Sequence, residues 1–404
     1  MTPGKADPAR AIHRRAVIAI AAATGSTSLL VNVWFPFLPL YMLQVGARDE
    51  PAALFWVAVG MSAQGVGRLI GGPLWGLLSD RLGRKKMFVR SVYSAALTAF
   101  VLSLINAPWQ VAIALALQGL LSGFIPAAVA LTSVSVPDAK VRDALNAVSG
   151  AQYLGGAIGP AVGAAMAIAF GYRGAIFSSG LLIAAVATAV IFLVPADTVR
   201  RKARDLTGAA ITLPPFKPSV QFALAILLYF SLFAVATFRS IATPIALKDI
   251  AGANVTEVTG LAFALGGIAG ALGIWMLSAR FFRQRRLRSL LAVTCVLTAL
   301  AHLLLALGDS VWLYVLAFTL ASFLNASMMP ATNTMIALNV SRDRRGTAFG
   351  IGSGAQAIAF MVGPMGAAMF ATVSLKAGFA TVSALLLALA ALIAFAVREP
   401  AVEK

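Results

Sequence analysis

Long apolar stretches alternate with short polar interruptions along the whole chain. Most of these stretches reach about 20 residues, the length that a helix needs to cross the hydrocarbon core of a bilayer. The pattern therefore predicts an all-α membrane protein with twelve transmembrane helices. The predicted spans are residues 15–42, 52–78, 87–106, 109–136, 143–170, 173–194, 219–247, 255–279, 289–307, 310–339, 346–373 and 376–397.

The longest polar interruption divides the spans into two groups of six. Residues 195–218 are rich in Arg, Lys and Pro, which do not favour a continuous buried helix. The two groups also repeat each other at a constant offset of 204 residues, since Gly150-Ala151-Gln152 recurs as Gly354-Ala355-Gln356 and Gly159-Pro160 as Gly363-Pro364. We predict a six-helix bundle over 1–194, a linker over 195–218 and a second six-helix bundle over 219–404.

Composition and charge support a membrane protein and set its orientation. Hydrophobic residues make up 60% of the chain and charged residues 11%, against roughly a quarter charged in soluble proteins. The net charge is +18, but most Lys and Arg residues fall in the termini and in alternate loops on one side. Such asymmetry marks the cytoplasmic side. We therefore expect a multi-pass protein of the cell inner (plasma) membrane with both termini cytoplasmic, and no nucleic-acid partner.

The sequence offers no pattern for a metal, a cofactor or an enzyme active site. Cys295 is the only cysteine, and the two histidines, His13 and His302, are far apart, whereas a metal site needs several clustered ligands. No phosphate-binding loop or nucleophile triad is present. We predict no metal, no cofactor and no enzymatic activity, and we interpret the first apolar run as an uncleaved span.

The polar hinge between the second and third spans, residues 76–86, carries a recognisable motif. It resembles the signature loop of the major facilitator superfamily, Gly-x-Leu-x-Asp-Arg-x-Gly-Arg-Lys/Arg. The matching positions are Gly76, Leu78, Asp80, Arg81, Gly83, Arg84 and Lys85. A basic topogenic loop would need neither the acid nor the two glycines. The resemblance implies a transporter of two six-helix bundles that works by alternating access.

The resemblance also implies a gating role for this loop. In the family, its carboxylate and arginines hold the start of the eleventh helix and so brace the cytoplasmic gate. Asp80 near the amide-rich start of a helix at Gly346 would contribute about 1 kcal/mol. The corresponding loop of the second half, residues 277–283, lacks the acid and the glycine. We therefore expect a latch on one side only.

A glycine-rich segment in the fifth span resembles a motif of the family's antiporters, Gly-x-x-x-Gly-Pro-x-x-Gly. Its residues are Gly155, Gly156, Gly159, Pro160 and Gly163. The resemblance implies an exporter, while the alternative is close helix packing with no bearing on direction. The chain departs from many exporters of this group at Leu115, where they carry an arginine.

The candidate cargo cavity is defined by polar side chains inside the spans. Arg68 and Arg239 are functional candidates because an ionisable group at that depth costs at least about 2.5 kcal/mol, although headgroup or carbonyl contacts are the alternative. If both line the cavity, the cargo would be anionic or electron-rich. Amides that could join them, or could equally bond between helices, are Asn32, Gln64, Gln118, Gln152, Asn325 and Gln356.

Proton coupling remains open at this stage. All 14 acidic residues lie in predicted loops, termini or span ends, whereas proton antiport usually uses a buried carboxylate. Asp49, Glu50, Glu257 and His302 are the remaining candidates to bind protons.

We predict a monomeric secondary-active transporter that exports drug-like compounds or a small organic metabolite. Proton antiport is the candidate source of its driving force. The alternatives are a facilitator or importer of an organic anion and, from another class, a membrane receptor or scaffold with the same fold.

Overall fold

The protein is almost entirely helical in the residues that the computed structural model describes, 8–194, 218–283, 287–340 and 345–398. No strand occurs within these ranges. Thirteen α-helices follow one another: α1 (Pro8–Trp34), α2 (Leu38–Gln44), α3 (Glu50–Leu82), α4 (Arg84–Leu104), α5 (Gln110–Leu121), α6 (Phe124–Ser135), α7 (Asp138–Leu193), α8 (Val220–Ala251), α9 (Val255–Arg283), α10 (Leu287–Leu307), α11 (Val311–Leu338), α12 (Arg345–Ala371) and α13 (Leu375–Ala396).

Ten stretches of these helices are long and apolar enough to cross a membrane. Two of them have double length, Asp143–Leu193 with 51 residues and Val220–Leu277 with 58. The first contains a break at Gly171, whose φ of 69° lies in the left-handed region, and the second contains a short 3-10 segment at Gly252–Asn254. Dividing both at these breaks gives the twelve spans that the sequence predicts.

The fourth predicted span is divided in a way that the hydropathy pattern does not reveal. It consists of α5 and α6, separated at Ser122 and Gly123, and Gly123 has a φ of 126°. Carbonyl groups at the break would be unsatisfied inside a membrane. Trp75 Nε1 donates to Leu120 O at 2.7 Å and Arg90 Nη1 to Leu121 O at 2.6 Å. Side chains of α3 and α4 thus make the break tolerable.

In the first half, α1 and α7 approach each other very closely. Gly155, Gly159 and Gly163 recur every four residues and face the backbone of α1 at positions 25, 29 and 33. A Cβ at Gly159 would lie 2.5 Å from Leu29 O, and one at Gly155 or Gly163 would meet a carbonyl oxygen still more closely. Because lipid tails are as apolar as the side chains, such close packing contributes much of the association of membrane helices.

The second half contains the same contact at the repeat offset. Gly363 of α12 packs on α8, where a Cβ would lie 2.5 Å from Ala234 O and 2.9 Å from Phe238 N. The internal repeat of the sequence is therefore also a repeat of packing.

Two clusters of buried apolar residues hold the helices together. One consists only of residues from the first 194, from Ile20 to Val194, while the other combines residues of both halves. Residues 195–217 of the predicted linker lie outside the described residues, so the predicted domain boundaries remain a prediction.

The α1–α7 contact predicts a graded response to added side chains. Gly163→Val should lower the thermal unfolding midpoint of the detergent-solubilised protein, because overpacking costs about 1–3 kcal/mol. Gly150→Val on the same helix is the matched control, since a Cβ there meets nothing within 4 Å. Equal midpoints for the two variants would contradict the packing described here.

Candidate functional site

Two helix pairs form much of the contact between the halves. In the first pair, Gly65 of α3 faces Met361 Cγ and Ala357 O of α12, at 3.2 and 3.5 Å from the position of a Cβ. In the second, Gly267 and Gly260 of α9 face Ala157 and Ala164 of α7. Small residues on both sides bring the helices close together at these points.

Both pairs separate toward the membrane surface that carries residues 76–86, which we call the hinge face. Gly72 of α3 lies seven residues closer to the hinge face than Gly65, and Gly150 of α7 lies seven residues closer than Ala157. In α12, Gly350 and Gly354 lie seven residues closer than Ala357 and Met361. At each of these four glycines a Cβ would meet no described atom within 4 Å. Seven residues of helix span about 10 Å. Three of the four glycines, Gly72, Gly150 and Gly350, are also exposed. From the described residues we infer a cavity between the halves that opens toward the hinge face.

The opposite face is closed by polar contacts between the halves. Lys248 Nζ of α8 lies 2.5 Å from Glu50 Oε1 of α3. The hydroxyl of Tyr172 in α7 lies 2.6 Å from Thr256 Oγ1 of α9. We call these two contacts the opposite-face latch.

An aromatic cluster and one arginine lie at the top of the cavity, where the halves separate. Tyr229 packs on Phe233 with ring centroids 5.0 Å apart, and Phe233 lies 6.1 Å from Phe360. Arg68 of α3 is exposed and its Cζ lies 5.7 Å from the Phe360 ring across the interface. Tyr153 of α7 is 65% exposed and close enough to Tyr229 for an electrostatic interaction. The site can hold a planar ring and an acceptor group.

Sequence reasoning identified Arg68 but missed the aromatic residues of this cluster. Tyr153, Tyr229, Phe233 and Phe360 look like ordinary apolar span residues. The only signal was the position of Phe360 one turn after Gln356, and of Tyr153 next to Gln152, within the repeated segments.

Two predicted cavity amides bond to each other instead of standing free. The Nε2 of Gln64 in α3 donates to the Oε1 of Gln118 in α5, and both residues are buried, with 3% and 4% exposure. A buried amide pair of this kind fixes α3 against α5.

The remaining amides are distributed around the interface. Asn32 donates to Ser28 O within α1 at 2.8 Å and lies beside Gly159. Asn325 is buried and donates to Leu232 O of α8 at 3.3 Å. Gln152 and Gln356 are half-buried. Each follows one of the four glycines without a close contact by two residues in the sequence.

Arg239 lies apart from Arg68. It is 6% exposed within the second half, with its Cζ 5.0 Å from the ring of Phe318 in α11. The structure therefore does not bring the two arginines together in the open cavity.

The gating loop is described only in part. Gly76, Asp80 and Arg81 lie on α3, but their surroundings are outside what the structure describes. The same holds for Arg345 and Gly346, where the predicted latch would form. Gly83 has a φ of 97° and separates α3 from α4. Arg84 donates to Ala130 O at 3.0 Å and Lys85 to Ile191 O at 2.7 Å, so these two cations fasten the loop to its own half.

The glycine motif of α7 lies between two partners. Gly155, Gly159 and Gly163 contact α1, while Pro160 O lies 3.7 Å from where a Cβ of Gly260 in α9 would stand. Gly156 faces Ser28 Oγ and Asn32 Nδ2. The motif thus packs mainly inside the first half and reaches the second half at Pro160. Among the described residues, no cluster of His, Cys, Asp and Glu could hold a metal ion.

Comparison with known proteins agrees with this architecture. The family model of the Major Facilitator Superfamily matches residues 16–295 and 240–404. The multidrug resistance protein MdtG of Proteus mirabilis is 31% identical over 354 residues, which cover 85% of this chain and 86% of that protein.

Solved structures share the fold at low sequence identity. The human organic anion transporter MFSD10 aligns with a TM-score of 0.65 and 19% identity, over 94% of this chain and 99% of that one. A bacterial homologue of the lysosomal transporter Spinster, in an inward-facing and occupied conformation, aligns with a TM-score of 0.70 and 15% identity over 97% of both chains. The chain belongs to the Major Facilitator Superfamily of membrane transporters.

Proposed function

We propose that the protein exports drug-like organic compounds from the cell by alternating access, with the hinge face in the cytoplasm. The observation that carries this proposal is the paired separation of α3 from α12 and of α7 from α9 toward the hinge face, while the opposite face is latched. Rocking of two halves about a central site is how transporters with internal repeats work.

The structure corresponds in this proposal to the inward-open state. Cargo reaches the aromatic cluster from the cytoplasm through the open side. For release, the halves must close near Gly72 and Gly354, and Gly260 and Gly267 must move away from α7. The opposite-face latch must break in the same step. The excess of Lys and Arg residues in the loops of the hinge face supports the assignment of that face to the cytoplasm.

Export as the direction is supported by the curated relatives. MdtG of Proteus mirabilis is described as a multidrug resistance protein, and the match covers most of both chains. The glycine motif of α7 resembles that of the family's antiporters, and its Pro160 lies beside α9 of the other half. We extend the export function to this chain on these two grounds.

The cavity chemistry suggests which compounds are carried. The faces of Tyr229, Phe233 and Phe360 suit flat apolar rings, for which aromatic contacts contribute about 0.5–1.5 kcal/mol each. Arg68 makes no hydrogen bond or ion pair among the described residues and can donate to a carboxylate or another electron-rich group. We propose aromatic cargo that carries such a group.

The function is tested by efflux from cells that lack their own major exporters. Cells expressing the protein should retain less of an aromatic dye than cells with an empty vector, and the anionic dye eosin should be affected more than the cationic dye ethidium. Greater retention on expression would indicate import. The proposal would be overturned if expressing cells and empty-vector cells retained equal amounts of each dye and also had the same resistance to a panel of aromatic toxic compounds.

Replacing Arg68 tests its role in the cavity. Arg68→Gln should reduce eosin efflux at least about tenfold, since a charge-assisted hydrogen bond contributes about 1.5–3 kcal/mol. Leu69→Gln, at the next and equally exposed position, is the matched control and should keep efflux near that of the parent chain. Similar efflux by all three proteins, at equal expression, would contradict a role for Arg68 in cargo binding.

Replacing Asp80 tests the predicted latch at the hinge face. Asp80→Asn removes the charge that would meet the start of α12, and it should slow transport several-fold with little change in cargo affinity. Lys86→Gln, outside the signature positions, is the control. The measurement is initial efflux rate against dye concentration, and a change confined to affinity would argue against a gating role.

A further inference from the structure

A buried cation in the second half lacks the partner that its burial calls for. Arg239 is 6% exposed, and its Nε and Nη1 have no hydrogen-bond partner among the described residues. Nearby, His302 of α10 is fully buried, and its Nε2 also lacks a partner. Buried polar groups are normally satisfied, so unpaired atoms on two neighbouring titratable residues require an explanation.

The two unpaired groups are complementary. Nδ1 of His302 lies 2.7 Å from Thr298 O, and a carbonyl oxygen only accepts, so Nδ1 carries the hydrogen. In the neutral ring Nε2 is then an acceptor, while a guanidinium has only donors. The two side chains are close enough to interact electrostatically. Neutral His302 therefore has the chemistry to accept from Arg239, a role that a carboxylate usually fills.

Few other titratable groups face this pair. From α11, Tyr314 interacts electrostatically with Arg239, and its hydroxyl lies 3.1 Å from Thr243 Oγ1. On α10 itself, Cys295 is engaged with Leu386 O of α13. The only charged residue within α13 is Lys376, which pairs with Asp309 at the opposite face.

A pocket at the opposite face reaches Tyr314, the neighbour of Arg239, although neither Arg239 nor His302 lines it. It has a volume of about 360 Å³, and its lining includes Leu305, three residues after His302, and Ile245, two residues after Thr243. Glu50, Asp249 and Lys376 are its charged residues, and Glu50 is paired with Lys248. Polar side chains of this kind give the pocket access to water and to protons from the opposite face.

The acidic residue next to this pocket is a poorer proton acceptor. Asp49 accepts from Ala52 N at 2.8 Å and from Arg48 Nε at 2.9 Å, and these bonds hold the pKa of its carboxyl below the usual value. Asp49 therefore stays ionised near neutral pH, and proton binding there would lose both hydrogen bonds.

We propose that His302 is the proton-binding site that couples transport to the proton gradient, with Arg239 as the charge that proton binding displaces. This inference rests on the proposed function. When Nε2 takes a proton from hydronium, its lone pair forms an N–H bond and a water molecule remains. Nε2 can then no longer accept from Arg239, and a second positive charge appears near the guanidinium. The same proton leaves to water when the ring becomes neutral again, so no other reactant is needed.

The displacement of Arg239 would act through α8. This helix carries Tyr229 and Phe233 of the aromatic cluster, Arg239 itself, and Lys248 of the opposite-face latch. Movement of α8 therefore affects the cargo site and the latch together. Proton binding and cargo binding are then linked through one element, which coupling between two sites requires.

The test uses the purified full chain in liposomes, with eosin and ethidium as cargo probes. For wild type, a proton gradient should drive dye accumulation several-fold above its equilibrium level, and dye should exchange for dye without a gradient. His302→Gln should abolish gradient-driven accumulation while exchange stays within about threefold. His13→Gln, at the only other histidine, should keep both.

A second variant keeps the proposal testable if His302→Gln does not fold. Arg239→Gln removes the cation that opposes proton binding, so the midpoint of the pH profile of gradient-driven accumulation should move at least about one unit to alkaline pH. A role in packing alone would lower the rate without moving the midpoint. Full coupling in His302→Gln, or an unmoved midpoint in Arg239→Gln, would overturn the inference, whereas a wild type that exchanges neither dye would count against the proposed function itself.

Discussion

The structure depends on how closely helices can approach each other in a solvent that does not drive them together. Within each half, glycine faces backbone carbonyl oxygens, as at Gly159 on Leu29 and Gly363 on Ala234. Between the halves, a Cβ at Gly260 would meet the methyl group of Ala164, and one at Gly267 would meet the methyl group, Cα and carbonyl oxygen of Ala157 within 2.9 Å. Close approach at small residues therefore holds helices together both within a half and between the halves. The same helix, α7, takes part in both kinds of contact.

In the proposed transport cycle, the contacts within each half are kept while those between the halves change. Adding any side chain to the contact inside a half would displace the backbone, so that contact tolerates only one geometry. Among the described residues, the close contacts between the halves at Gly65, Gly260 and Gly267 do not continue to Gly72 and Gly150. In the proposed cycle, a small rotation of one half changes which ends of these helices are in contact.

The sequence was sufficient for the fold but only partly for the site. Hydropathy, the loop motif and the constant repeat offset are local features of the sequence and need no knowledge of contacts between helices. The spans and the family could therefore be predicted. The break at Gly123 could not, because the stabilising donors Trp75 and Arg90 come from other helices. The aromatic cluster was missed because aromatic residues of a span look alike whether they face lipid, core or cavity.

For the two arginines inside predicted spans, the sequence does not decide whether the side chain is exposed or buried. Arg68 and Arg239 both lie within predicted spans, and each would be costly to bury. Arg68 is exposed at the interface between the halves, with its Cζ 5.7 Å from the Phe360 ring. Arg239 is enclosed and lacks a carboxylate partner among the described residues, so its charge is balanced only by the face of Phe318 and by polar neighbours. Such a charge is sensitive to changes at its titratable neighbours, which are Tyr314 of α11 and His302 of α10. In the proposed coupling, a proton on His302 therefore acts on Arg239 and so on α8, the helix that also carries Tyr229, Phe233 and Lys248.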